Sequence, residues 1–291
     1  MAESPHIVDT LIAERAPEMV ASPAWPLARP VLDGLLHYRE AVRMADAVAP
    51  LPGREALAWL SGRLALKVEA RGLGHVPRSG RAIAVCNHPT GVADGVAVFD
   101  ALKGRRPDLL FYANADAVRV APGLAEVIIP VEWVAAKRSR ASARDTLART
   151  RAAMEAERLL VVFPAGRLAR LGGDGRLADP AWSLGAFGLA RKFRAPIVPM
   201  HLAGPSSTLF HLFDRFSGEL RDITLFHELL NKRGKRFRLT IGPPVAPGSL
   251  PKDAEAAAAG MKAYVESVLP AQGERARAEL AAAPFTGEAL A

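Results

Sequence analysis

The sequence predicts an α/β fold, in which a mixed and largely parallel sheet is flanked by helices and preceded by an N-terminal helical appendage. From about residue 66 onwards, short apolar segments of strand character alternate with segments whose apolar residues recur at helical spacing, which is typical of an α/β domain. Several apolar segments end at turns that contain Pro or Gly, where a strand gives way to a loop. The length of 291 residues suits one large domain with such an appendage.

The first 65 residues are predicted to form the helical appendage. A short helix is expected from Ile7 to Glu14, followed by irregular chain through a proline-containing segment to residue 30. Apolar residues then recur at helical spacing on either side of Pro50-Leu51-Pro52-Gly53, which predicts two amphipathic helices. Trp59, Arg54 and Arg63 suit a helix pair that lies in a membrane interface. Packing of the two helices onto the domain core explains the same pattern equally well.

Residues 66–270 are predicted to form the α/β domain, and residues 271–291 a frayed tail. The segments with strand character are Leu66–Ala70, Ala82–Cys86, Leu109–Tyr112, Val127–Trp133, Leu159–Phe163, Ile197–His201 and Phe237–Ile241. The segments with helical periodicity are Asp94–Lys103, Ser142–Glu157, Leu184–Lys192 and Asp253–Leu269. Pro270 is expected to end the last of these helices, because proline disrupts a helix interior.

The charge and the cysteine content limit the classes of partner and compartment. The net charge of +8 and the isoelectric point near 10.0 favour an anionic partner, such as a phospholipid surface, a phosphorylated substrate, an acyl carrier or nucleic acid. Because Cys86 is the single cysteine, an internal disulfide and a cysteine-rich zinc site are excluded, and a reducing cytoplasm is expected. The amino terminus lacks the features of a signal peptide, and no membrane-spanning segment is expected.

The stretch from Ala82 to Gly95 is the strongest candidate for a site of chemistry. Five apolar residues lead into a polar turn broken by Pro and Gly, so a strand is expected to deliver His88 to a loop. A histidine can act as a base near neutral pH, and Asp94 could accept a hydrogen bond from one ring nitrogen of His88 and leave the other free to take a proton. A loop histidine with a structural partner, and an aspartate that caps a helix, fit the same residues.

Three blocks of this sequence resemble those of the glycerolipid acyltransferase superfamily, which includes 1-acylglycerol-3-phosphate acyltransferase. Residues 87–95 resemble its Asn-His-…-Asp motif, residues 163–167 its Phe-Pro-Glu-Gly-Thr block, and residues 196–199 its late Val-Pro block. The blocks occur in the family's order, and the resemblance covers residues 66 to 245. Five residues separate His88 from Asp94 where the superfamily usually has four, and this longer form is similar to a haemolysin-like branch.

The resemblance implies an acyltransferase that moves a fatty acyl group from a coenzyme A or acyl-carrier-protein thioester to a hydroxyl of a lysolipid. His88 would be the general base and Asp94 its orienting partner. No metal or redox cofactor is implied, and the protein is expected at the inner face of the cell membrane, on an anionic lipid surface. The residues expected to contact substrate are Asn87, Gly91, Lys137, Arg138, Phe163, Pro164, Gly166 and Arg167.

Two departures from the family's blocks suggest a different acceptor headgroup. Ala165 and Arg167 stand where the family usually has glutamate and threonine, and Arg167 offers a planar charged group for phosphate or carboxylate. The arginine usually found between the two blocks is absent from residues 128–133, so the following Lys137, Arg138 and Arg140 are candidates to replace it.

Other functions remain open from the residues alone. Cys86 and His88 could form the nucleophile and base of an ester or thioester hydrolase, although a buried structural thiol fits Cys86 better. A lipid-binding module that has lost turnover is a further alternative. The basic run 231–238 could face anionic lipid headgroups or simply solvent, and no nucleic-acid-binding fold accompanies it. His201 and His211 are too isolated to indicate a metal site.

Overall fold

The computed structural model describes residues 4–132, 139–171, 177–205 and 208–273. In these residues a seven-stranded sheet has the strand order β1-β9-β8-β2-β5-β3-β4. Its neighbouring strands are parallel except for β8 and β9, which are antiparallel, so the predicted mixed and largely parallel α/β sheet is confirmed. The strands are β1 (Lys67–Arg71), β2 (Ala82–Cys86), β3 (Leu110–Asn114), β4 (Ile128–Val131), β5 (Leu159–Val162), β8 (Ile197–Ala203) and β9 (Arg236–Ile241).

Strand β2 lies in the middle of this sheet and is buried along its whole length. Its side chains alternate between two apolar clusters, with Ala84 and Cys86 in one and Ile83 and Val85 in the other. A strand covered on both faces favours an uninterrupted apolar sequence, which is why residues 82–86 were readable as a strand. The strand therefore presents the following residue, Asn87, and then His88 at a fixed edge of the sheet.

Helices cover both faces of the sheet, and all four helices predicted for this domain have an observed helix near the predicted position. Helix α6 begins two residues earlier than expected, so Asp94 lies inside its first turn. The short helices α7, α10, α11 and α12 were not predicted, because five to seven residues carry too little periodicity to distinguish a helix. The helices after β2 are α6 (Val92–Leu102), α7 (Asp116–Val120), α8 (Arg140–Glu155), α9 (Gly185–Phe193), α10 (Thr208–Asp214), α11 (Gly218–Asp222), α12 (Leu225–Leu230) and α13 (Ala254–Ala263).

The N-terminal segment contains more helix than the sequence indicated. The prediction of irregular chain up to residue 30 is wrong, because Pro17 and Pro26 lie in first turns, where a missing N–H is tolerated. Leu57 and Leu64 belong to the main apolar cluster of the domain, so packing onto the core accounts for the last of these helices. The boundary at residue 65 stays a prediction. The helices are α1 (Ile7–Arg15), α2 (Pro17–Ala21), α3 (Trp25–Leu35), α4 (Tyr38–Val48) and α5 (Gly53–Leu64).

The C-terminal helix does not end where the sequence predicted. Helix α13 runs into a π-helix, Tyr264–Val268, and helical backbone continues through residues 269–273. The expectation that Pro270 ends the helix is therefore wrong. The hydrogen bonds just before this proline already follow the wider π pattern, with the amide of Leu269 bonded to the carbonyl of Tyr264. The rest of the expected tail, residues 274–291, lies outside the described residues.

Within the described ranges, none of the helices combines the length and the apolar character needed to cross a bilayer.

Candidate active site

Asn87 holds the chain at the point where it leaves strand β2. The ladder between β2 and β8 ends at the pair Cys86 and Met200. Beyond it, the Asn87 amide donates to the carbonyl of Leu202 at 2.9 Å and accepts from the Leu202 amide at 2.7 Å. The side chain thus extends the pairing of the two strands into the loop and fixes the start of that loop. Its expected contact with substrate stays a prediction.

His88 and Asp94 meet across the loop. The His88 Nδ1 atom lies 2.8 Å from Asp94 Oδ2, and the histidine side chain keeps 18% of its surface exposed while the aspartate is fully buried. Because an ionised carboxylate only accepts hydrogen bonds, Nδ1 carries the hydrogen and Nε2 the lone pair. Nε2 forms no hydrogen bond with any described residue. The arrangement leaves a basic nitrogen with an oriented ring at the protein surface.

Asp94 also closes the loop on itself. Its carboxylate accepts from the amides of Thr90 at 2.9 Å and Gly91 at 3.0 Å, and from the Thr90 hydroxyl. These donors and His88 satisfy a buried charge that would otherwise be costly to bury. Its place in the first turn of α6 adds the favourable field of the helix N-terminus. Asp94 is therefore both a helix-start residue and the hydrogen-bond partner of His88, and the role of His88 as a base stays a prediction.

Gly91 makes the sharp bend between His88 and Asp94. Its φ of 93° and ψ of −137° fall in a region that residues with a side chain rarely adopt. A Cβ atom at this position would also lie 3.3 Å from the side chain of Leu168. The longer spacing between histidine and aspartate is thus accommodated at a glycine. A contact of Gly91 with substrate stays a prediction.

The second motif block surrounds the histidine ring. The ring of Phe163 stacks on that of His88, with centroids 4.6 Å apart and an interplanar angle of 29°. The Gly166 amide donates to the carbonyl of Phe163 at 3.0 Å, which closes a turn with Gly166 at a positive φ of 63°. The carbonyl of Pro164 accepts from the Ser183 amide at 2.9 Å. The two blocks that the sequence singled out therefore meet at His88.

Arg167 is exposed and makes no hydrogen bond or ion pair with the described residues. It follows the turn that begins at Phe163, whose ring covers the histidine ring. Lys137 and Arg138, the other two basic residues expected at the acceptor, lie outside the described residues. Arg140, a further basic candidate from the same segment, is exposed at the start of helix α8 (Arg140–Glu155). Arg140 and Arg167 are therefore the basic candidates for acceptor recognition whose surroundings the structure describes.

Asp179 was not predicted as a site residue, and the structure places it next to His88. One carboxylate oxygen, Oδ1, accepts from the His88 amide at 3.1 Å, and Oδ2 accepts from the Trp182 indole at 2.8 Å. Burial raises the pKa of Asp179 to about 6, although the hydrogen bonds from Trp182 and His88 act in the opposite direction. The residue follows the short strand β7 (Leu177–Ala178), which pairs with β6 (Arg170–Leu171). No periodic pattern or motif marks it in the sequence.

Cys86 is fully buried among apolar side chains. Burial raises the pKa of its thiol well above the ordinary value, which opposes formation of the nucleophilic thiolate. Its sulfur lies 3.8 Å from Asn87 Oδ1, and the histidine ring hydrogen bonds to Asp94 instead. This geometry favours the structural alternative for Cys86.

Neither the apolar cavity of the structure nor a metal-binding group is associated with these residues in the described part of the chain. An apolar cavity of about 280 Å³ is lined by side chains that include Val245, Leu250, Met261 and Tyr264, and none of the site residues lines it. Among the described residues no group of three His, Cys, Asp or Glu side chains is arranged to hold a metal ion. Neither feature adds a group to the site at His88.

Comparison with known proteins gives consistent results for the central part of the chain. Residues 67–203 match the family model described as Acyltransferase. Similar curated proteins include a lyso-glycine lipid O-acyltransferase of Phocaeicola vulgatus, 29% identical over 62% of this chain and 64% of the relative. Another of the same name, from Bacteroides thetaiotaomicron, is 26% identical over 62% of this chain and 66% of the relative. The matched region thus spans slightly less than two thirds of each relative.

A search of solved structures matches the 1-acyl-sn-glycerophosphate (LPA) acyltransferase PlsC from Thermotoga maritima. The TM-score is 0.44 and the sequence identity 17%, with 94% of this chain and 100% of that chain covered. At these values the match adds nothing to the fold already described.

Proposed function

We propose that this chain is a member of the glycerolipid acyltransferase superfamily and that it transfers a fatty acyl group from a thioester to a hydroxyl of a lysolipid. The donor is an acyl-coenzyme A or an acyl carrier protein, and His88 is the general base. The observation that carries the proposal is the contact of His88 Nδ1 with the buried Asp94 carboxylate, which leaves Nε2 without a hydrogen bond to any described residue in a side chain that is partly exposed.

The proposed reaction uses the site residues in one proton-transfer cycle. His88 Nε2 takes the proton of the acceptor hydroxyl as its oxygen attacks the thioester carbonyl, and Asp94 stabilises the resulting imidazolium. The tetrahedral intermediate then expels the thiolate, which takes the proton back from His88. Gly166 and Arg167 lie on the same turn as Phe163 and are candidates to stabilise the oxyanion. These steps require the acyl thioester as co-substrate and neither a metal nor a redox cofactor.

The acceptor is proposed to carry an anionic headgroup that Arg167 binds. A guanidinium pairs in two-point fashion with either a carboxylate or a phosphate, so its chemistry fits both headgroups. Arg167 is exposed, and its guanidinium makes no hydrogen bond or ion pair with a described residue. The curated relatives are named for lyso-glycine lipids, which makes a lyso-glycine lipid and a lysophosphatidic acid the two acceptors to compare.

We also propose that the protein binds peripherally to the anionic inner face of the cell membrane. Helix α3 exposes Leu27, Val31 and Leu35 to 82%, 70% and 45%, and their spacing of four places them along one side of the helix. Phe216, which follows α10, is 76% exposed. Apolar side chains at these exposures suit contact with a bilayer interface better than contact with water.

The exposed apolar groups lie toward the edge of the sheet that carries His88. Strand β8 lies beside β2 and runs parallel to it, and helix α10 follows the carboxyl end of β8. Its Leu209 and Phe213 share an apolar cluster with Leu32 of α3. The basic run begins β9 at the same edge, where Arg236 and Arg238 are exposed, whereas Lys232 is buried in an ion pair with Glu228. Membrane contact at this edge would bring His88 close to a lipid acceptor.

The proposed function is tested by product analysis. Purified protein is incubated with radiolabelled acyl-coenzyme A or acyl carrier protein and with lyso-glycine lipid, lysophosphatidic acid or other lysolipids. We expect labelled acyl-lipid, and a loss of about 100- to 10,000-fold in its rate for His88→Ala. His6→Ala, which removes the histidine at the N-cap of α1, is the matched control and should retain the rate.

Each other product assigns a different function. Free fatty acid as the main product would indicate a hydrolase, and binding of lysolipid without turnover would indicate a lipid-binding module. Acyl transfer by His88→Ala at the rate of the unaltered protein would show that His88 is not the base.

A further inference from the structure

The main chain of His88 is held on both sides by one later segment. Its N–H donates to Asp179 Oδ1 at 3.1 Å, and its carbonyl accepts from the Ala169 amide at 2.9 Å. The segment that supplies both partners begins at the phenylalanine whose ring stacks on His88. The position of the imidazole therefore depends on residues 91 and 81 positions away in the sequence.

Asp179 is anchored more firmly than a surface carboxylate. Its side chain is buried, its Oδ2 atom accepts from the Trp182 indole at 2.8 Å, and its amide donates to Glu266 Oε1 at 2.7 Å. Glu266 lies on the π-helix and pairs with Lys262 at 2.7 Å. Two N–H groups thus bond the two carboxylate oxygens, and the last helix bonds the backbone behind them. Burying a carboxylate in this way is costly unless each contact is made.

We propose that Asp179 is a positioning residue for His88, fixing its backbone so that the ring stays between Asp94 and Phe163, and that its negative charge stabilises the protonated ring. The proposal rests on the role of His88 as the base. It adds a residue outside the three motif blocks to the machinery that orients this base.

Geometry gives the first part of this role. The ring of His88 has one edge on Asp94 and one face on Phe163, so a shift of its backbone moves Nε2 relative to any substrate hydroxyl. A displacement of about 1 Å at a reacting group can lower a rate on the order of 100-fold. The hydrogen bond from the His88 amide is the contact that resists such a shift on the side of the strand.

Charge gives the second part. The titratable groups that face Asp179 are His88 and Glu266, and Lys262 pairs with the latter. A carboxylate close to His88 favours the imidazolium that forms during the reaction. The negative charge is complete only above the pKa of Asp179, which burial raises to about 6. Protonation of the carboxylate below that pH weakens its acceptance from the His88 amide.

The test separates geometry from charge with three variants. In Asp179→Asn one of the two N–H donors loses its acceptor and the charge is removed, so kcat should fall on the order of 10- to 100-fold. In Trp182→Phe the carboxylate and its bond to His88 remain, so kcat should stay within about threefold of the unaltered protein. In the double variant the Asn oxygen is free to accept from His88 alone, and part of the lost kcat should return.

The pH profile distinguishes the two contributions. The pH dependence of kcat reports an apparent pKa for the essential base. This apparent pKa should be lower in Asp179→Asn than in the unaltered protein and equally low in the double variant, because both variants lack the negative charge at residue 179. A merely structural role would leave that apparent pKa unchanged. No change in it, or Trp182→Phe reproducing the losses of Asp179→Asn, would overturn the proposal.

A measurement that leaves Asp179 unchanged decides the question if Asp179→Asn does not fold. In His88→Ala, where residue 88 has no imidazole to titrate, the ¹H–¹⁵N signal of its amide should titrate near pH 6, since this N–H donates to Asp179. A signal that is constant between pH 5 and 7 would overturn the positioning role while leaving the acyltransferase proposal intact. Conversely, an active His88→Ala variant would overturn the proposed function while the titration of the amide still reported the contact.

Discussion

The loop after β2 and the turn after β5 both contribute to the site, and they are built in opposite ways. In the loop, Asp94 accepts hydrogen bonds from His88, Thr90 and Gly91, so its carboxylate is satisfied by groups of the loop itself. In the turn, Phe163 packs on the histidine ring, while Arg167 remains exposed and unpaired with any described residue. The loop is complete before substrate arrives, whereas the turn keeps its charged group available.

The difference follows from burial. A buried carboxylate must have its hydrogen bonds in the folded protein, because water cannot supply them. An exposed guanidinium is satisfied by water and can exchange that water for an anionic ligand at little cost to stability. The comparison indicates that the hydrogen bonds around His88 are fixed by the fold, whereas Arg167, the residue proposed to bind the acceptor, can change without disturbing them.

Replacing Asp94 gives the largest expected effect and tests the loop. In Asp94→Asn the amide nitrogen brings hydrogens toward donors that need an acceptor, so the His88 tautomer with Nε2 as the base loses its stabilisation. We expect kcat to fall about 1,000- to 10,000-fold and the free energy of unfolding to fall by about 1–3 kcal/mol. Steady-state kinetics and chemical denaturation measure the two effects.

Asp145→Asn is the matched control for that variant. Asp145 lies on α8 with 54% of its side chain exposed, in an i,i+4 pair with Arg149. Such exposed pairs contribute little, so both kcat and stability should stay close to those of the unaltered protein. If Asp94→Asn kept more than a tenth of the parent kcat, the carboxylate would be a helix-start residue without a role in orienting the base.

The same two regions differ in how far their structure could be predicted from the sequence. The strands and the pairing of His88 with Asp94 could be predicted, because apolar runs and a short motif are local signals. The contact between Asp179 and the His88 amide could not, since it joins residues 91 apart through a backbone group that has no sequence signature. The continuation of the last helix past Pro270 was missed for a related reason, because a π turn reflects packing rather than composition.

Replacing Arg167 should have a smaller effect, confined to acceptor binding. A hydrogen-bonded charge is worth about 1.5–3 kcal/mol, so Arg167→Ala should raise KM for the lysolipid about 10- to 100-fold with kcat and KM for the thioester nearly unchanged. Arg167→Lys should recover part of this loss, because a lysine keeps the charge but not the two-point geometry. Kinetics with lyso-glycine lipid and lysophosphatidic acid in parallel provide the measurement.

Arg151→Ala is the control for a general loss of positive charge. Arg151 is 72% exposed on α8, in an i,i+4 pair with Glu155. It should leave KM for either lipid unchanged, since it lies outside both motif blocks. A KM unaffected by Arg167→Ala would mean that other basic residues bind the headgroup. A large fall in kcat would instead place Arg167 at the oxyanion.

Replacing Cys86 should have the smallest effect on catalysis, although it lies only two residues before His88. The thiol belongs to the buried strand and the imidazole to the loop, and this difference in surroundings outweighs their proximity in the sequence. We expect Cys86→Ala and Cys86→Ser to keep kcat within about threefold, since neither removes a group that reaches the substrate.

Stability should distinguish the two cysteine variants where activity does not. The serine hydroxyl would be buried beside apolar side chains, which costs about 1–3 kcal/mol without a partner, so Cys86→Ser should unfold at lower denaturant than Cys86→Ala. A nucleophilic thiol would reverse the pattern, because alanine would then abolish turnover regardless of stability. Loss of activity in a folded Cys86→Ala variant would therefore indicate that Cys86 on the strand, and not only His88 on the loop, takes part in the reaction.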